Sequence, residues 1–173
     1  MTKATEGDGP GRPGLRERRP LRAMTLEILA RPVDHPDALA MIAGSEAELA
    51  SLYKPEHRNA LDPQELIDAG VTFVVCYCDG APIGCGGYAP FDGFAELKRI
   101  YVADAARGAG IGAAIVHNLE GRARATGYTL MRLETGEASP DALALYAKLG
   151  YARIGPFGHY VDNGSSVFME RAL

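Results

Sequence analysis

The stretch Arg107-Gly108-Ala109-Gly110-Ile111-Gly112 constrains this chain more than any other. It follows a strand-like run, Glu96 to Val102, and opens a helix-like run, Ile111 to Thr126. Glycines at alternate positions let the backbone turn tightly and aim its N–H groups at one point. At a helix start those donors lack intrahelical partners, and the macrodipole adds partial positive charge, so a phosphate is the natural guest. Arg107 adds a fixed cation. The segment reads as a pyrophosphate cradle, set against the plainer reading of a glycine turn that binds nothing.

Two other phosphate loops compete for the same residues. Gly108-Ala109-Gly110-Ile111-Gly112-Ala113 fits the dinucleotide fingerprint, with Glu134 about 20 residues further on. Against it, Ala103-Asp104-Ala105-Ala106-Arg107 separates the strand from the first glycine, and too little chain follows Glu134 for further strand–helix–strand units. A P-loop is excluded because Lys-Ser/Thr does not follow the glycines.

The chain has 173 residues and a net charge of −4, enough for one domain with a sizeable core. That charge offers no support for a nucleic-acid or membrane partner, and no run of eighteen apolar residues exists to span a bilayer. Residues 1–23 are rich in Gly, Pro and Arg and carry no hydrophobic period. They read as a disordered tail, with a nucleic-acid arm as the alternative and Met24 as a candidate start, ahead of a domain over 24–173. The tail has no apolar signal core, and its prolines argue against a targeting helix. Cys76, Cys78 and Cys85 read as reduced core thiols, which fits the cytoplasm.

Thr25 to Val33 alternates as a first strand, and Asp34 to Tyr53 has helical period with an expected break near Gly44-Ser45. Asp62-Pro63-Gln64-Glu65 is a helix start that Gly70 stops. This region is expected to form part of an acceptor pocket. Val71 to Cys78, Asp79-Gly80 and Pro82 to Tyr88 read as a hairpin, and Phe94 to Val102 as a second antiparallel return. From Gly110 the pattern changes to helix 110–126, strand 128–134, helix 140–149 and strands 151–155 and 167–171. The expected fold class is α/β of the α+β type: a mixed, mostly antiparallel sheet of six to seven strands flanked by helices.

The pattern resembles the GNAT superfamily of acetyl-CoA-dependent N-acetyltransferases, in particular its small bacterial members. Arg107-x-x-Gly110-x-Gly112 matches the superfamily's Arg/Gln-x-x-Gly-x-Gly/Ala between a strand and a long helix. Ala142, Tyr146, Gly150 and Tyr151 match a second element, Asn-x-x-Ala-x-x-x-Tyr-x-x-x-Gly-Phe/Tyr. The resemblance implies acetyl-CoA as co-substrate, its pantetheine lying along Ile100-Tyr101-Val102 where a bulge splays the sheet. It implies a pyrophosphate held by Arg107 and the backbone around Gly108, Gly110, Ile111, Gly112 and Ala113, with no metal. Where many members have Asn, this chain has Ser139 followed by Pro140, so a contact to the cofactor arm is either replaced by Ser139 or lost.

Transfer to an amine requires a proton acceptor and a proton for the departing thiolate, but no protein nucleophile. Tyr146 is the expected general acid, against the plainer reading that it simply packs on the sheet. Glu96 is the expected base, against a strand-edge salt bridge with Lys98, and Glu134 could serve instead. An extended strand would put Glu96, Lys98, Ile100 and Val102 on one face. The resemblance makes His159 and Tyr160, ahead of the turn signal Asn163-Gly164, candidate acceptor contacts together with Glu134. His35, His57 and His117 lack metal-ligand spacing and read as surface residues. The expected reaction is direct acetyl transfer to a primary amine of a small molecule or protein. A non-catalytic acyl-CoA-binding module, a dinucleotide-binding module and a longer acyl chain are the alternatives. Dimerisation is common among similar proteins, though no residue here demands it.

Overall fold

A computed structural model describes residues 25–55 and 62–173. The expectations for the tail, for Met24 and for His57 lie outside the described residues. Seven strands form one sheet: β1 (Leu26–Ala30), β2 (Thr72–Cys78), β3 (Ala81–Pro90), β4 (Ala95–Val102), β5 (Leu130–Gly136), β6 (Ala152–Ile154) and β7 (Ser166–Ala172). Their order is β1-β2-β3-β4-β5-β7-β6. All neighbours are antiparallel except β4 and β5, as expected from the change of pattern after the glycine loop. Among the described residues, four α-helices flank the sheet: α1 (Pro36–Leu52), α2 (Pro63–Asp68), α3 (Ile111–Ala125) and α4 (Pro140–Lys148).

Local chemistry accounts for the joints. Asp79 and Gly80 both take positive φ, the primed turn that matches the twist of a two-residue hairpin between β2 and β3. Asp62 and Glu65 form a reciprocal capping box at α2, with proline in its first turn. His35 is more than a surface residue, since its Nδ1 accepts from the Asp37 N–H and caps α1.

The sheet separates two cores. On one face, Ile111, Ile115, Val116, Leu119 and Ala123 of α3 and Tyr146 of α4 pack against Val74, Cys76, Leu97, Met131 and Leu133. On the other, Ala38 and Ile42 of α1 and Leu66 of α2 cover Phe73, Val75, Tyr77 and Cys85. Each fully buried Leu or Ile contributes roughly 1.5–3 kcal/mol. Cys76 and Cys78 sit at alternate positions of β2, and all three cysteines are free. Burial pushes the Cys85 thiol up to about 12.

Two local expectations are corrected. α1 runs unbroken through Gly44-Ser45. The glycine serves packing there, because a Cβ on Gly44 would stand 2.9 Å from the Tyr101 hydroxyl, and Ser45 is buried. β4 also does not alternate simply from Glu96 to Val102. Its register with β3 slips between Cys85 and Gly87, and Arg99 has φ 56°, so β4 carries one extra residue there. The bulge divides the strand's faces. Lys98 contacts Glu96, and Arg99 reaches Glu46 of α1, whereas Ile100 and Val102 pack with the α3 core.

Opposite the bulge, Gly84 and Gly86 of β3 let α3 sit close to the sheet. A Cβ on Gly84 would lie 2.8 Å from the Tyr101 carbonyl oxygen and 3.0 Å from Cδ1 of Ile115. Backbone cannot yield as a flexible side-chain end can. Gly84→Ala should therefore destabilise the protein by about 1–3 kcal/mol, read as a lowered midpoint in urea with an unchanged m-value.

Candidate active site

β4 and β5 pair only at Ala95↔Met131, Glu96↔Arg132 and Leu97↔Leu133. Beyond Leu97 they part, β5 staying with β7 as far as Gly136↔Ser166. The gap becomes a cleft of about 1060 Å³. Its size suits a small-molecule site, and the edge of β4 beyond Leu97 offers backbone groups to an extended ligand.

One end of the cleft is the start of α3. Gly108 and Gly110 have φ +77° and +78°, a left-handed conformation that L side chains adopt only at a cost. Gly110 is the helix N-cap, and no side chain caps the helix. The first-turn N–H groups around Ile111, Gly112 and Ala113 are thus left for a ligand. Gly108, Gly110, Ile111, Gly112 and Ala113 all line the cleft, as do Ile100, Tyr101 and Val102 of β4. Arg107 lines it too, but carboxylates already hold its guanidinium: Glu48 of α1, and Asp104 at 3.0 Å. Its Nε also donates to the Val102 carbonyl at 2.9 Å. An anion binding here would compete with Glu48 for Arg107.

Ser139 also lines the cleft and is the N-cap of α4, yet its side chain does not cap the helix. Its Oγ lies 2.8 Å from the Tyr53 hydroxyl instead. Tyr53, at the end of α1, also lies over Gly136, where a Cβ would come within 2.0 Å of that hydroxyl. Tyr53 therefore ties α1 to the end of β5 and the start of α4. No motif marks it in the sequence, where it stands 86 residues from Ser139.

The titratable groups gather where the strands part. The Glu96 side chain is only 1% exposed. Its Oε1 accepts from Lys98 Nζ at 2.6 Å and from the Tyr160 hydroxyl at 2.6 Å. Lys98 Nζ donates to the same tyrosine oxygen at 2.7 Å, closing a three-membered network. Oε2 of Glu96 is buried and has no hydrogen-bond partner among the described residues. Burial, and then the Glu96 charge, push the Tyr160 phenol well above its ordinary value. Glu134 accepts from Ser166 Oγ at 2.6 Å. Tyr146 lines the cleft from α4 and stacks edge-on against Tyr151, its phenol raised by burial and by Glu134.

Glu96, Glu134, Tyr146 and Tyr160 thus share one cleft with the glycine cradle. His159 does not line it. It is exposed and stacks on Tyr160, with ring centroids 4.5 Å apart. His117 lines the cleft and also joins a buried cluster: its Nδ1 lies 3.1 Å from Oε2 of Glu120, which also accepts from Tyr151 and Arg171. Among the described residues no group of three or more His, Cys, Asp or Glu could hold a metal, and no helix is long and apolar enough to cross a membrane.

Comparison with known proteins fits this geometry. Residues 39–151 match the Acetyltransferase (GNAT) family. The chain belongs to that family. It is an N-acetyltransferase, 37% identical over 148 residues to an IAA acetyltransferase of Azospirillum brasilense, covering 84% of this chain and 97% of that protein. A candidate acyl-CoA N-acyltransferase from Klebsiella pneumoniae has the same fold, with a TM-score of 0.73 and 31% identity, covering 86% of this chain and 97% of its own. The Thermoplasma acidophilum PaiA N-acetyltransferase, solved with coenzyme A, shares the fold at TM-score 0.68 and 18% identity, over 86% of this chain and 99% of its own.

The left-handed N-cap gives a direct test of the cradle's backbone. Gly110→Ala in this N-acetyltransferase should cost about 1–2 kcal/mol of stability from strain alone, measured by chemical denaturation.

Proposed function

We propose that this N-acetyltransferase moves an acetyl group from acetyl-CoA to a primary amine by direct attack, both substrates being bound at once. The observation that carries the reading is the β4/β5 cleft, which joins an uncapped helix start to a buried carboxylate and a buried phenol. The residues present fit an acyl-CoA: N–H donors and Arg107 suit a pyrophosphate, and the open edge of β4 suits an extended arm. Bound acetyl-CoA supplies an activated acyl carbon.

The chain's own groups do the rest. Glu96 takes the proton that the amine gives up, because it is a buried anion with one oxygen unpartnered. Glu134 is the less favoured base, since Ser166 already donates to it. Tyr146 donates a proton to the leaving sulfur. Burial raises its phenol above the ordinary value, so it carries that proton at neutral pH. Ser139, engaged with Tyr53, gives the cofactor arm a hydroxyl only if that bond opens.

Binding is tested by thermal shift with acetyl-CoA, CoA, NAD and ATP. Acetyl-CoA or CoA at about 100 times the dissociation constant should add roughly 2.7 kcal/mol. Stabilisation by NAD alone would replace the reading with a dinucleotide-binding one. Turnover is then read by release of free thiol across spermidine, kanamycin, lysine and other amino acids, with IAA included because of the Azospirillum relative. Tyr146→Phe should lower kcat by about 10²–10⁴ with the acceptor KM little changed. Wild-type activity in that variant would remove Tyr146 as the acid, and acetyl-CoA binding with no transfer to any acceptor would favour a non-catalytic acyl-CoA module.

A further inference from the structure

The carboxylate assigned as base lies in the cleft wall but is almost fully buried. Glu96 is 1% exposed at its side chain, and its unpartnered Oε2 is buried as well. Lys98 Nζ and the Tyr160 hydroxyl both sit on Oε1. An amine in the cleft therefore meets Tyr160 and Lys98 before it meets Glu96. Lys98 is an ammonium with donors only, so it cannot take a proton from the amine. Tyr160 can. Its oxygen donates to Oε1 and accepts from Lys98, which leaves one lone pair open.

We propose that Tyr160 is a catalytic proton relay between the acceptor amine and Glu96, with Lys98 as the residue that positions the pair. As the amine nitrogen bonds to the acyl carbon and the carbon–sulfur bond breaks, the sulfur takes its proton from Tyr146 and the amine's proton passes to the Tyr160 oxygen. The original phenolic proton passes to Oε1 of Glu96. Tyr160 ends as it began, neutral, and the one proton lost by the amine rests on the carboxylate. No other reactant is required. A buried anion is costly, and a proton arriving on Oε1 lowers that cost by neutralising the carboxylate. The phenol never has to ionise, which agrees with the direction in which burial and Glu96 shift it.

The fold holds Tyr160 for such a task. Its ring packs on Phe157 at 5.2 Å and on Phe168 at 5.5 Å between centroids, and its N–H donates to the Phe157 carbonyl at 3.0 Å. The residue is fixed from both sides by groups that take no part in the chemistry.

This inference rests on Glu96 being the base, so the test separates the two. In the full chain, Glu96→Gln, Tyr160→Phe and the double variant are compared on whichever amine of the panel is turned over fastest. Each single variant should lose about a hundredfold or more in kcat with little change in acceptor KM. The double variant should be no slower than the worse single, because a relay without its terminus has nothing left to lose. Tyr160→Phe keeps the ring and its packing, and unchanged thermal stability confirms that the loss is chemical. If the two losses multiply, or if Tyr160→Phe raises KM at constant kcat, Tyr160 is a substrate contact and the relay is wrong. If Glu96→Gln is fully active, the base assignment falls. If no amine in the panel is acetylated, amine transfer falls and the relay with it.

Discussion

The bulge in β4 is the constraint from which the site follows. One extra residue at Arg99, held at positive φ, ends the simple alternation of the strand. Left-handed backbone at a non-glycine residue costs on the order of 1–2 kcal/mol, and the surroundings must hold it in place. Glu46 of α1 binds the Arg99 guanidinium, and the missing side chain at Gly86 leaves room for Ile100 on the other face. Without the bulge β4 could keep pairing with β5 along its length, and no cleft would open at the centre of the sheet. Strain at one residue is thus tied to a cavity that a regular sheet would fill with hydrogen bonds.

The same break sorts the functional groups. Before the bulge, Glu96 and Lys98 lie beneath the loop that carries Tyr160. After it, Ile100 and Val102 pack toward α3, and the strand runs on to Arg107 and the glycine cradle. The parallel return through α3 brings Glu134 beside the gap, and the next helix brings Tyr146. The proposed cradle for anionic groups and the proposed proton-handling end are therefore served by two halves of one strand, divided by a single inserted residue.

Much of this was legible in the sequence because the signals are local. Asp79-Gly80, Asp62-Pro63 and the glycines after Arg107 each encode a turn or cap within a few residues, and each element formed where its signal lay. The mixed sheet followed from the switch between short hairpin turns and helical crossovers. The expected single face for Glu96, Lys98, Ile100 and Val102 failed because a bulge at a non-glycine residue leaves no mark on periodicity. The expected break in α1 failed because a glycine that admits Tyr101 looks the same in sequence as one that ends a helix. Tyr53 on Ser139, and Glu120 beneath Tyr151 and Arg171, were illegible for a related reason: each joins residues far apart in the chain with no repeated spacing.

The two tyrosines of the cleft divide the chemistry by their surroundings. Tyr146 packs edge-on beside Tyr151, and the charge of Glu134 raises its phenol. Tyr160 is bonded on one side to a carboxylate and on the other to an ammonium. Burial raises both phenols, so both still carry their protons when substrate arrives. In the proposed reaction the first donates to charge that develops on sulfur, while the second accepts and donates in the same step because its partners are already aligned. Two residues of one type, in one cleft, would thus take opposite directions of proton flow because their surroundings differ before substrate arrives.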